Sequence, residues 1–235
     1  MQSKSLIAAV LFSLAALAGG PAGAQPAPFS VSSQTAAEAA AAASRGLAQF
    51  ARQNLLDFGA RLPAGFPLDV ADGRELPALR IGPGFPVYSV DPQQLLAGNG
   101  DISQLMAPTG SWRFVVYLRQ QAVGLVTVEQ VGGHWEAVSY GAAGLAKSLE
   151  SLQAAYGNAE RSNTRFVRVY QAQSDFLEVS PAGGGKPRFA ALASAYASLA
   201  LKPQAAGAVG NGLMDSADFI EPLRAAVRNN LSRFR

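Results

Sequence analysis

The chain contains no cysteine. That excludes disulfides, a thiol nucleophile, thiolate metal sites and lipid attached at a lipobox cysteine. In an oxidising compartment, packing alone must then hold the fold. There is one histidine, His134, so a single chain cannot supply a two-histidine metal site. A Ser-His-Asp triad would have to use His134 beside a glycine turn, with no serine motif near it. The signatures G-x-S-x-G, H-E-x-x-H, G-x-x-x-x-G-K-[ST] and G-x-G-x-x-G are missing, and no cofactor is implied. Charge is sparse: 19 basic residues against 16 acidic ones give +3. So small an excess argues against nucleic acid as a partner, because phosphate binding needs a concentrated basic face.

The N-terminus is the most informative segment present. Lys4 precedes an apolar stretch from Leu6 to Ala18, and Ala22-Gly23-Ala24 offers the small-x-small pattern of a signal peptidase site. Residues 1–24 read as a secretory signal peptide, cleaved between Ala24 and Gln25. The alternative is an uncleaved N-terminal anchor. Cleavage would remove Lys4 and lower the net charge from +3 to +2. No later run approaches the roughly 18 apolar residues that span a bilayer, so no transmembrane segment is expected after cleavage. The chain is expected to be exported, periplasmic or secreted. The excess of arginine, with abundant alanine and glycine, suggests a GC-rich bacterial gene.

Residues 25–34 carry Pro26 and Pro28 and read as a flexible lead-in. Thr35-Ala36-Ala37-Glu38 fits a capping box. A helix should follow to Phe58, stopped by Gly59, with Ala36, Ala40, Ala43, Leu47, Phe50 and Phe58 inward. Seven of the 14 prolines fall between Pro63 and Pro108, which argues against regular structure there. Phe85–Val90 can be an edge strand, and Asp91 and Asp101 look like caps of short helices.

Trp112, Phe114, Val116 and Leu118 alternate with Arg113, Val115, Tyr117 and Arg119, a period-two strand. Val123–Val131 and His134–Tyr140 complete a meander over about 112–140, with Gly132-Gly133 as a two-residue loop. Ala142–Tyr156 reads as a central helix, and further strands fall at about 165–180. Residues 187–200 fit helix or strand. Ser216–Phe234 reads as a C-terminal helix with Phe219, Leu223, Val227 and Leu231 four apart, Pro222 lying in its first turn. The sum is an α+β fold, one exported domain over 35–235 with possible sub-units 35–140 and 141–235. A short echo between Arg113–Tyr117 and Arg165–Tyr170 is better explained by coincidence than by duplication. In element order the chain resembles small exported α+β modules of the cystatin-like or PepSY-like sort. No motif supports membership of either, so no functional residue is carried across.

The loop length sets Glu129 opposite Glu136, and Gln130 opposite Trp135. Glu129, His134 and Glu136 then share a face, either as a weak site for a metal or a cationic ligand or as a solvated outer surface. Trp112, Tyr117, Trp135 and Tyr140 are core residues or the lining of a pocket for a small apolar ligand. Arg224, Arg228, Arg233 and Arg235 are solvated, or they let the last helix touch anionic lipid or an acidic envelope protein. Asp69–Glu75 lacks calcium-loop spacing, Gly183–Lys186 is followed by Pro187 where a phosphate loop needs Ser or Thr, and Asn230-Leu231-Ser232 falls within a helix. The reading is therefore a non-catalytic binding or interaction protein working through an aromatic-rich sheet face or edge. The alternatives are an envelope-associated accessory protein held by the basic helix, and a hydrolase using Glu129 and Glu136.

Overall fold

The computed structural model describes residues 32–98, 101–202 and 212–233. The expected signal peptide and cleavage site, residues 25–31 of the expected lead-in, and Phe234 and Arg235 lie outside the described residues. Helix α1 spans Ser33–Phe58. Its cap is Ser32 rather than Thr35: the Ser32 hydroxyl accepts the Thr35 N–H at 3.1 Å. The Glu38 carboxylate accepts the Gln34 side-chain amide (3.0 Å) instead of closing a box. Serine supplies the same capping chemistry one turn earlier. Gly59 ends the helix at a φ of 59°, as the sequence indicated.

A 3₁₀ turn over Gly73–Ala78 leads into strand β1, Leu79–Val90. Short helices α2 (Pro92–Ala97) and α3 (Ile102–Leu105) follow, capped by Asp91 and Asp101 as expected. The meander is β2 (Met106–Leu118), β3 (Gln121–Val131) and β4 (His134–Gly141). Helix α4 spans Ala143–Tyr156, and β5 (Thr164–Val169) and β6 (Ser174–Val179) come next. The ambiguous 187–200 stretch is both things in turn: strand β7, Arg188–Ala191, then helix α5, Ala193–Leu199. Helix α6 spans Ser216–Arg233.

All seven strands form one sheet in the order β4-β3-β2-β1-β5-β6-β7. The expected edge strand is the fourth of the seven. Pro86 is tolerated in the middle because the β1–β2 ladder slips between Pro86 and Tyr88, so the missing N–H falls at an irregularity. A second slip between Ile81 and Gly84 absorbs Pro83. The two strand regions join where β1 and β5 run parallel, through Val87–Phe166 and Tyr88–Val167; the other pairs are antiparallel.

Alternation assigns the two faces. Trp112, Phe114 and Val116 of β2 point to the front, where Ala39, Ala43, Leu47 and Ala51 of α1 cover them. Val167, Phe176 and Phe189 point to the same side under Phe219, Leu223 and Val227 of α6. Val115, Leu125, Phe166 and Leu177 point to the back, against Ala146 and Leu149 of α4. The expected inward stripe of α1 holds at Ala43 and Leu47, with Ala36, Ala40 and Phe50 partly buried against the same cluster, but Phe58 lies 44% exposed. Pro222 is the seventh residue of α6, not in its first turn, and leaves the Asp218 carbonyl without its helical partner.

The alanine-rich half of α1 buries little surface but comes close. A Cβ added at Gly46 would stand 2.3 Å from the Ala137 Cβ and 2.8 Å from the Tyr140 hydroxyl. Gly46→Ala gains about 1 kcal/mol of helix propensity. It also overpacks a backbone-anchored contact, which costs about 1–3 kcal/mol. The expected result is a net loss, with a lower urea midpoint and an unchanged m-value; an unchanged or higher midpoint would contradict this packing.

Candidate functional site

Three clefts open along α1, because a helix seated on alanines leaves its flanks unfilled. The first lies between α1 and the segment formed by the 3₁₀ turn and the start of β1, with a volume of about 480 Å³. Its apolar walls are Leu47, Ala51 and Leu55 of α1 with Leu76, Leu79 and Ile81 opposite. On the helix, Ser44, Leu47, Ala48, Ala51, Arg52 and Leu55 repeat by threes and fours, so they form one flank. Among the described residues, Arg52 and Arg80 are the only charged ones lining it. The Arg80 guanidinium is held in place by donating to the carbonyls of Pro77 (3.0 Å) and Leu79 (2.8 Å).

The second cleft, about 710 Å³, separates α1 from β4 and is lined by polar groups that include Arg45, Gln49, Gln53, Asn54 and Glu136. The third, about 610 Å³, lies at the N-terminal end of α1 between Trp112, Trp135, Pro86 and Pro108. Trp135 divides these two, and its indole N–H is buried without a partner among the described residues.

The four aromatic candidates do not form one lining. Trp112 is buried and stacks on Phe114 with ring centroids 6.1 Å apart. Tyr140 stacks on Phe50 at 4.2 Å, and burial raises its pKa. Trp135 packs beside them on the front face. Tyr117 lies on the back face, where its hydroxyl donates to Glu150. Arg161 grips the same carboxylate at 2.7 and 3.2 Å. Burial, with the Glu150 carboxylate beside it, pushes the Tyr117 hydroxyl up to about 12. Burial works to raise Glu150, but the Arg161 and Tyr117 bonds outweigh it and hold its carboxyl below the ordinary value. Tyr117 is thus committed to an internal network rather than to a ligand.

The hairpin register is as the loop length dictated: Val131 with His134, Gln130 with Trp135, Glu129 with Glu136. Gly132 and Gly133 take φ of 58° and 84°, which a two-residue loop of this kind requires. Yet no group of three or more His, Asp or Glu side chains stands close enough to hold an ion among the described residues. Glu129 accepts the Ser111 hydroxyl at 2.9 Å and borders the Trp112 cleft, whereas Glu136 and His134 border the Tyr140 cleft. The two carboxylates, though cross-strand partners, thus border different clefts.

The arginines of α6 separate as well. Arg224 donates to the carbonyls of Leu95 (2.9 Å) and Gly98 and to Glu221 (2.6 Å), tying α6 to the end of α2. Arg228 and Arg233 are exposed, and Arg235 lies outside the described residues. The apolar face of α6, Phe219, Leu223 and Val227, is buried in the core.

Sequence reasoning missed two features. One is the Arg52–Arg80 groove, whose helical flank was legible as a 3–4 repeat but whose other wall comes from a distant segment. The other is Arg113, whose guanidinium lies over the Phe166 ring at 5.1 Å with Nη1 buried and unpartnered among the described residues. Burial lowers its pKa, and Arg168 nearby adds to this. Comparison with known proteins gives no match to any family model, curated protein or solved structure.

Proposed function

We propose that the protein is an exported, non-catalytic binding protein that receives an apolar ligand in the groove between α1 and the 3₁₀–β1 segment. The observation that carries this reading is a cleft of about 480 Å³ walled by Leu47, Ala51, Leu55, Leu76, Leu79 and Ile81. That volume falls in the range of small-molecule sites, which are mostly apolar with a few placed polar groups. Export rests on Lys4, the apolar stretch Leu6–Ala18 and Ala22-Gly23-Ala24.

The test is titration of the chain beginning at Gln25 with a neutral naphthylamine probe that fluoresces in apolar surroundings. The expected result is saturable binding in the micromolar range. Ala48 is exposed on the groove flank, so Ala48→Trp fills the cleft without entering the core. This variant should weaken binding at least about tenfold, roughly 1.4 kcal/mol, with thermal stability unchanged. No saturable signal from the parent chain, or equal binding by the filled variant, would overturn the reading.

A further inference from the structure

The rim of the groove says more about the ligand than its walls do. Arg52 and Arg80 both line the cleft, and among the described residues no acidic one does. Neither arginine has a carboxylate within ion-pair distance among the described residues, although eight other basic side chains do. The acidic residues of the 3₁₀ segment are engaged elsewhere: Glu75 pairs with Arg119 at 3.1 Å and Asp72 with Arg74 at 2.6 Å. Arg80 gives Nη1 to two backbone carbonyls, which fixes the guanidinium at the mouth. Nε and Nη2 have no partner among the described residues and remain as a fork of donors. Arg52 stands on the opposite wall, one residue from Ala51 and three from Leu55, so its charge borders the apolar flank. A carboxylate or phosphate matches a guanidinium fork in geometry and charge, and two such cations at one rim raise the local concentration of anions.

Resting on the proposed groove, we infer that its ligand is a single-chain amphiphile with an anionic head. The chain lies against Leu47, Leu55, Leu76 and Ile81. The head group lies between Arg52 and Arg80. Two sources share this chemistry, a fatty carboxylate and an alkyl or lysolipid phosphate, and competition separates them.

The experiment displaces the neutral naphthylamine probe with four competitors that carry the same alkyl chain, all below micelle-forming concentration: dodecanoate, dodecyl phosphate, dodecanol and dodecyltrimethylammonium. The better anion should compete at least about tenfold more strongly than dodecanol, and the cation should be weakest. Dodecanoate ahead of dodecyl phosphate assigns the head to a carboxylate, and the reverse order assigns it to a phosphate; both support the inference. The double variant Arg52→Gln, Arg80→Gln should still bind the probe saturably, but, measured against its own affinity for dodecanol, should bring the anions to within about threefold of the alcohol. A parent chain that binds the probe and takes dodecanol as readily as either anion overturns the inference while leaving the apolar groove standing. A double variant that keeps the full anion preference also overturns it. Failure of the probe itself to bind, or its indifference to Ala48→Trp, removes the groove reading and this inference with it.

Discussion

Arg165→Met is expected to cost about 3–5 kcal/mol of folding stability, because it strips the partner from a carboxylate with no route to water. Glu178 on β6 is fully buried, with 0% exposure. It is the direct cross-strand partner of Arg165 on β5. The guanidinium holds both carboxylate oxygens, one through Nη2 at 2.8 Å and the other through Nε. It also lies 5.4 Å over the Tyr88 ring, which joins the pair to β1. An ion pair of this kind gives little net stability relative to apolar residues of similar volume, yet breaking one half strands a charge in the interior. The two statements predict different outcomes for two variants. Arg165→Met alone should lower the melting temperature by about 2–4 °C for each kcal/mol lost. Arg165→Met combined with Glu178→Leu should recover most of that loss, a coupling that a double-mutant cycle in urea measures directly. A single variant within about 1 kcal/mol of the parent would mean that Glu178 finds water or another donor.

Local chemistry was legible and long-range chemistry was not. The meander follows from period-two alternation and Gly132-Gly133, and the three pairs next to the loop emerge as expected, whereas the slips between Thr127 and Val128 and between Val116 and Tyr117 do not follow from the pattern. Leu149 in α4 and Phe219, Leu223 and Val227 in α6 follow from helical spacing. The central place of β1 was hidden, because its prolines argue for an edge and only the ladder slips on either side reconcile them with the middle of a sheet. The parallel β1–β5 pairing joins segments separated by two hairpins and three helices, and no local pattern announces it. Parity could have divided the aromatic candidates sooner. Trp112 and Tyr117 are an odd number of residues apart, so in a strand they face opposite ways, one toward α1 and the other toward Glu150. The echo between Arg113–Tyr117 and Arg165–Tyr170 fails on the same ground: Phe114 packs toward the front and Phe166 toward the back. The groove needed α1, the 3₁₀ turn and β1 together, so only its helical flank was written in one stretch of sequence.

Phe219→Ala is expected to cost about 3–5 kcal/mol, which would show that α6 is a core element rather than a detachable basic helix. Phe219 has 0% exposure and sits between two other rings. It stacks on Phe176 with centroids 4.6 Å apart and meets Phe189 edge-on at 5.2 Å. Aromatic pairs contribute about 0.5–1.5 kcal/mol beyond the area they bury, and here one ring serves two pairs from β6 and β7. Truncation also leaves a cavity that a sheet on one side and a helix on the other cannot collapse to fill. The exposed arginine next to Val227 gives the contrast: Arg228→Glu changes a surface position and should stay within about 0.5 kcal/mol of the parent. A helix that served chiefly as a lipid contact would reverse this order. Its charge-reversed variant would then lose flotation with anionic vesicles while its apolar truncation left the unfolding midpoint unmoved. Because Leu223 and Val227 are as fully buried as Phe219, lipid could reach the apolar stripe only after α6 left the sheet. The parent chain is therefore expected to float no better with anionic vesicles than with neutral ones.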